Sequence, residues 1–360
     1  MSAANATTSL VRTSAASLPE GVNAGDARTH RGTLNGVTNE GAVRTARVVD
    51  AETFVAIPAP YDLSRTLSTH RRGSGDPGHR VEVSGAVWRA TRTADGPVTL
   101  FLQPAVGGVR VRAWGPGATL ALEAAPPLLG ADDDPLALVA QHPAVADGAR
   151  RGRGIRIGRS GAVWEALVPA ILEQKITGDE ARRTYRALVR AYGEDAPGPP
   201  GLRLPPAPET LAALPYHAFH PLGLERRRAE LIRLMARDAP RLERHAVAVA
   251  AASPGVARAT ALGTAYDALR AFPGIGPWTA AEVGFRAFGD ADAVSVGDFH
   301  IPNMVCWALA REPRGTDERM LELLEPYRGQ RARVTRYLEL AGMTAPRYGP
   351  RLASRRIADL

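Results

Sequence analysis

One cysteine, Cys306, occurs in 360 residues. That scarcity excludes an intrachain disulfide, a four-thiolate iron–sulfur cluster and any structural zinc site built on paired thiols. The apolar setting of Cys306, beside Val305 and Trp307, predicts a buried and inert thiol. Long apolar runs are also missing: none approaches the roughly twenty residues that span a bilayer, and the N-terminal stretch lacks the apolar core of a secretory signal. A reducing, cytoplasmic setting without membrane insertion is expected. Metal-ligand residues are sparse; His217 and His220 flank a loop near Pro221, but no further His or Cys completes a set, so no zinc or other transition metal is expected. Acidic charge is outnumbered, with 37 Asp plus Glu against 45 Lys plus Arg, and arginine carries nearly all of the +8 net charge. Such a balance suits a polyanionic partner without choosing among DNA, RNA and an acidic membrane surface.

What is present is enough apolar material, 45% of residues, for two or three cores. Residues 1–50 hold almost no large apolar side chain and are expected to be disordered. Residues 51–148 form a small α+β domain in this reading. Its short β-rich runs, Val81–Val83, Val87–Arg89, Pro97–Gln103 and Val109–Trp114, are separated by Gly, Pro and Asp, which predicts an antiparallel meander. Leu63–His70 and Pro135–Val145 look helical. From 149 to 345 the pattern is helical throughout. Trp164, Leu167, Val168, Ile171 and Leu172 recur at helical spacing, and Thr177-Gly178-Asp179-Glu180 is a capping box that opens the next helix. Gln174, Lys175 and Ile176 therefore occupy an interhelical turn. A Pro-rich loop follows from Ala196 to Pro208, then an amphipathic helix from Leu224 to Ala236, and residues 346–360 form a basic tail.

The most informative segment runs Phe272-Pro273-Gly274-Ile275-Gly276-Pro277-Trp278-Thr279-Ala280-Ala281 and continues to Val294-Ser295-Val296-Gly297-Asp298. Two glycines two apart allow a tight turn between helices, and Pro277 suits the first position of the second helix. A helix N-terminus of this kind carries unsatisfied N–H groups that can hold a phosphate without reading sequence. Gly274, Gly276 and Thr279 are the candidates for that contact. By spacing alone, Asp298 is better explained as a helix cap, and Trp278 as a core aromatic.

The whole segment resembles the helix-hairpin-helix plus Gly/Pro-Asp (HhH-GPD) motif of base-excision DNA glycosylases, and Phe272–Ala280 is similar to the 3-methyladenine DNA glycosylase II type. Pro60-Tyr61-Asp62, Trp164–Thr177 and Leu222–Ala229 carry the same resemblance. It implies a mainly α fold, in which a small antiparallel-sheet α+β domain precedes two helical subdomains with the substrate cleft between them. It also implies that Asp298 stabilises an oxocarbenium-like C1′ and directs water. Trp278 stands where bifunctional members carry a Schiff-base lysine, so a monofunctional enzyme acting on alkylated purines in duplex DNA is expected, with Trp278 stacking on a cationic base. By the same resemblance Tyr327 is a second aromatic wall, Glu282 replaces a pocket tyrosine, and Lys175 replaces an apolar wedge, a role that Ile176 could take instead. The carbonyls of Arg270, Phe272 and Ile275 could hold a monovalent cation; no other cofactor is implied. Arg150, Arg151, Arg153, Arg156 and Arg159 suit a solvated linker, but their place just before the helical domain favours phosphate contacts. A monomer is expected. A non-catalytic DNA clamp built on the hairpin is the competing reading, and a bifunctional lyase a third.

Overall fold

The computed structural model describes residues 51–199 and 201–346. The N-terminal stretch expected to be disordered, and nearly all of the C-terminal tail, lie outside the described residues. Five antiparallel strands, β1 (Ala51–Ala56), β2 (His79–Val81), β3 (Val87–Thr93), β4 (Gly96–Ala105) and β5 (Gly108–Trp114), form a sheet in the order β1-β5-β4-β3-β2. The expected meander is β2 to β5. Register places Val87 opposite Leu102, Leu102 opposite Val111 and Val55 opposite Val109, so alternate residues put one apolar face inward. That face is covered by α1 (Leu63–Leu67), α2 (Ala118–Glu123) and α3 (Ala125–Leu128).

The segment Pro135–Val145, expected to be a helix, is a short 3-10 turn at Pro135–Ala137 followed by irregular chain. A helix, α4 (Pro143–Arg151), begins only at its end. Leu136 and Val139 are 89% and 73% exposed. With no apolar surface to cover, the pattern there does not form a helix, whereas Pro143 sits at a first-turn position that tolerates its missing N–H.

The remaining helices are α5 (Val163–Leu172), α6 (Gly178–Tyr192), α7 (Pro208–Ala213), α8 (Arg226–Ala251), α9 (Val256–Arg270), α10 (Pro277–Val283), α11 (Ile301–Ala310), α12 (Asp317–Leu324) and α13 (Arg331–Leu340). A π-helical turn, Gly284–Phe288, extends α10. Thr177 caps α6 as its sequence predicts, accepting from the Glu180 N–H. Helix α8 continues fifteen residues beyond the expected Ala236, because Ala239, Leu242, Ala246 and Val249 keep one face buried past Pro240.

Two helical cores result. One joins α5, α6, α8, α9 and α10 around Leu167, Ile171, Ile232 and Met235; the other joins α4, α11, α12 and α13 around Val145, Val305, Met320 and Leu338. Helix α4 precedes the first core in the chain yet packs in the second, so the chain passes from one lobe to the other twice. The first core is also stitched end-on. Helix α5 has no capping side chain of its own; Glu243 of α8 supplies one, accepting from Val163 N at 2.9 Å and Trp164 N at 2.8 Å.

Burial pushes the Glu243 carboxyl up to about 7, against the lowering effect of those two N–H donors. A carboxyl whose folded pKa lies above its unfolded value contributes its stabilisation at low pH and loses it as pH rises through the folded pKa. Wild-type protein should therefore lose stability, relative to the Glu243→Gln variant, between pH 5 and pH 8. Paired thermal melts across that range measure the difference, and a constant offset would refute the assignment.

Candidate active site

Between α9 and α10 the chain turns through Ala271–Gly276. Ile275 N donates to Phe272 O at 3.0 Å to close the turn, and Ala280 N to Gly276 O to start α10. Gly274 has φ +102, and a Cβ there would lie 3.0 Å from Leu231 Cδ2, so conformation and space both favour glycine. Gly276 has an ordinary φ of −92 with open space beside it. Its lack of a side chain leaves the first amides of α10 uncovered.

Trp278 projects from the first turn of α10, and its indole Nε1 donates to Asp298 Oδ2 at 2.9 Å. Asp298 Oδ1 accepts from His300 N at 2.7 Å and Ile301 N at 2.9 Å. The carboxylate thus caps the start of α11 with one oxygen and meets the indole with the other. The two readings that the sequence left open for Asp298 occupy different oxygens. A carboxylate offers about four lone-pair directions, so these three donors leave one on Oδ2 free for a ligand. Asp317 accepts the Gly297 N–H with both oxygens at 3.0 Å, which fixes the loop that presents Asp298.

The turn Gln174-Lys175-Ile176 is bound to this hairpin. Gln174 Nε2 donates to Gly274 O and to Thr279 Oγ1, both at 2.9 Å. Thr279 is 2% exposed. Its hydroxyl is a brace inside the protein rather than the phosphate contact expected of it, because Gln174 occupies it; only its backbone N–H can still face a ligand. Ile176 packs against the first helical core. Lys175 is exposed with φ +56, a left-handed conformation that is uncommon for any residue with a Cβ, and it is the only lysine in the chain. Of the two wedge candidates, the one that protrudes is Lys175.

Three other expectations are altered by the packing. Tyr327 is no open wall: it is 2% exposed in the second helical core. Its hydroxyl lies 2.6 Å from His142 Nδ1 and accepts from Gln141 N at 3.2 Å; a buried phenol needs such partners. Glu282, one turn below Trp278, pairs with Arg286 at 2.5 Å and accepts from Ser295 Oγ at 2.8 Å. Burial raises its pKa, but Arg286 and Ser295 outweigh burial and hold it below the usual value. Arg286 Nε in turn donates to Thr69 O at 3.0 Å, tying this wall to the segment just after α1. The junction arginines are largely spoken for: Arg150 and Arg151 pair with Asp147, Arg159 with Asp132, and Arg156 donates to Asp133 O. Arg351, Arg355 and Arg356 of the basic C-terminal tail, which carry the same two readings, lie outside the described residues.

Several participants escape sequence reasoning. Phe299 is 75% exposed immediately after Asp298, and its ring meets His300 edge-on at 4.9 Å between centroids. Arg228, 3% exposed, donates to Leu172 O and Gln174 O and so orders the end of α5 and the turn beyond it. Phe299 has a signal in its place beside the aspartate; Arg228 has none, since its neighbours Arg226 and Arg227 look the same in sequence. No cluster of three or more His, Cys, Asp or Glu among the described residues could hold a metal ion. Cys306 is buried, as its apolar setting predicts.

The model of the HhH-GPD superfamily base excision DNA repair proteins matches residues 168–328, which include the turn, the hairpin and Asp298. No curated protein sequence matches the chain. Among solved structures, a 3-methyladenine DNA glycosylase from Archaeoglobus fulgidus superposes with TM-score 0.64 at 20% identity, covering 80% of this chain and 97% of that one. An 8-oxoguanine glycosylase/lyase from Clostridium acetobutylicum, bound to double-stranded DNA, gives TM-score 0.61 at 12% identity, with 80% and 94% coverage. MBOgg1 with a low-affinity DNA ligand gives 0.62 at 18% identity, covering 81% and 95%. At such identities these likenesses establish the fold, a small antiparallel sheet followed by a helical body.

Because the Tyr327 hydroxyl is consumed by the His142 turn, Tyr327→Phe should act on stability. Loss of one hydroxyl that serves two partly buried hydrogen bonds, to Gln141 N and His142 Nδ1, costs about 0.5–1.5 kcal/mol. Urea denaturation checks this, and an unchanged midpoint would return Tyr327 to the open cleft.

Proposed function

We propose, because residues 168–328 match the HhH-GPD superfamily of base excision DNA repair proteins, that the chain is a monofunctional DNA glycosylase that excises alkylated purines from duplex DNA. The observation that carries this reading is the Asp298 carboxylate, held by three N–H donors beside Trp278 with one lone-pair direction open. Breaking the C1′–N bond leaves positive character on C1′, which a fixed carboxylate stabilises better than reorganising water does. Water then bonds to C1′ and its proton passes to Asp298 or to solvent. An N-alkylated purine is cationic before cleavage and departs neutral, so the leaving group needs no added proton.

Substrate class follows from the walls. The indole of Trp278 can attract a cationic ring by roughly 0.5–2 kcal/mol, while the Glu282 carboxylate one turn on is held by Arg286 and Ser295 and lends that wall no unpaired charge. The base reaches that slot by leaving the stack, with Lys175 filling the gap while its ammonium meets a phosphate. The first amides of α10, freed by Gly276, take a backbone phosphate. The carbonyls of Arg270, Phe272 and Ile275 are the proposed seat of a monovalent cation; Phe272 O already accepts one hydrogen bond and keeps a second lone pair. Trp278 offers no amine for a Schiff base, so the product is an intact abasic strand.

Asp298→Asn should lower base release from methylated duplex DNA by at least about 10²-fold while leaving binding to the duplex in place. Chromatography of the released bases measures both rate and identity. Near-normal release by the variant would refute the role of Asp298, and preferential release of 8-oxoguanine from oxidised DNA would replace the alkylpurine assignment. Borohydride with abasic duplex should trap no covalent adduct.

A further inference from the structure

We propose that a cavity between the β-sheet and the helical body, distinct from the Asp298 site, binds a compact monovalent anion of halide size through Arg72, His79 and Tyr185. The cavity, about 20 Å³, is lined by the segment after α1 on one side and by α5, α6 and the π-turn on the other. Arg72, His70 and His79 are 8%, 8% and 4% exposed.

The polar groups on these walls divide into those with partners and those without. Glu165 accepts from Arg89, from the Thr91 hydroxyl and from Arg92 N. Asp76 accepts from Arg72 N at 2.7 Å and Gly78 N at 2.9 Å. Arg286 is held by Glu282 and Thr69. By contrast, the Arg72 guanidinium makes no hydrogen bond and no ion pair among the described residues. Glu173 and the cavity-lining Asp76 act on it electrostatically, but both stand beyond ion-pair distance. Both ring nitrogens of His79 and Nε2 of His70 are likewise without partners.

A buried guanidinium left unpaired is costly, and water alone returns only part of its lost hydration. The unused capacity here is mainly donor capacity: the N–H groups of Arg72, the Tyr185 hydroxyl and one N–H on each imidazole. A ligand that accepts several hydrogen bonds and carries one negative charge satisfies it. A space slightly larger than one water site favours a single-atom ion over phosphate. Burial, reinforced by Arg89 and Arg71, lowers the pKa of His79 to about 3. Its ring is therefore a neutral donor near pH 7 and adds no second charge. Bound there, the anion would join the loop of residues 71–79 to α6, whose Arg182 and Arg186 already pack on Gly73 and Gly75.

Bromide is the probe. In wild-type crystals soaked in bromide, an anomalous peak is expected in the cavity within hydrogen-bond reach of the Arg72 guanidinium; a cavity holding only water would overturn the proposal. In solution, bromide at tenfold excess over its Kd should raise the melting temperature by roughly 2 °C, and Arg72→Gln should abolish that rise. Parallel bromide dependence in the two proteins would also overturn it. The crystallographic arm needs no variant, and neither arm depends on glycosylase activity.

Discussion

The indole N–H of Trp278 meeting the carboxylate of Asp298 joins two pieces of chain that have separate reasons for their shapes. One is the hairpin, set by the left-handed Gly274 and by Pro277 at the start of α10. The other is the loop ending in Asp298, fixed by Asp317 beneath it and by α11 beyond it. Since α10 belongs to the first helical core and α11 to the second, this contact fixes where the two lobes face each other. Everything proposed for the cleft depends on that alignment: the open lone pair on Oδ2, the angle of the indole face and the position of Glu282 one turn below. Gln174 and Arg228 hold the third side, the turn that presents Lys175, in register with the same hairpin.

Charge is used in two ways. Much of the arginine excess never reaches a partner, because it forms ion pairs that cross boundaries within the fold. Arg89 with Glu165 ties the sheet to α5, Arg333 with Asp133 ties α13 to the chain after α3, and Arg286 links Glu282 to Thr69. Buried pairs of this sort add little net stability, since desolvation offsets their attraction, but a misdocked arrangement would strand a charge. They specify orientation. Arg72 is the member of this interior set that the protein leaves without a counterion, and for that reason it stands out as a ligand-binding group.

Helices with strong 3.6-residue periodicity, α5 and α6, and strands with clear alternation, β3 to β5, were legible because burial of one face is written directly into residue spacing. So was the hairpin, whose glycines and proline meet local backbone requirements. Elements short of those signals were not: β1 has only Phe54 and Val55 as large apolar residues, α2 is six residues long, α3 carries Pro126 and Pro127 in its first turn, and α4 begins only after the exposed Leu136 and Val139 that mimic a helical pattern. Tyr327 shows the same limit in the site. An aromatic near the aspartate can face the cleft or the core, and its hydroxyl found partners in the core.

By itself the sequence determined the mainly helical class with a leading sheet, the hairpin and the absence of thiol-based metal chemistry, because these rest on local spacing or on composition; Asp298 and Trp278 stood out as a pair only through the resemblance that their motif carries. Only the tertiary structure decided that the Asp298 carboxylate divides its oxygens between a helix cap and the indole, that Lys175 is exposed while Ile176 packs, partly buried, against the first helical core, and that Glu282 is ion-paired by Arg286. Each depends on residues distant in the chain arriving at one place, and the direction in which a polar side chain finds its partner is set by packing.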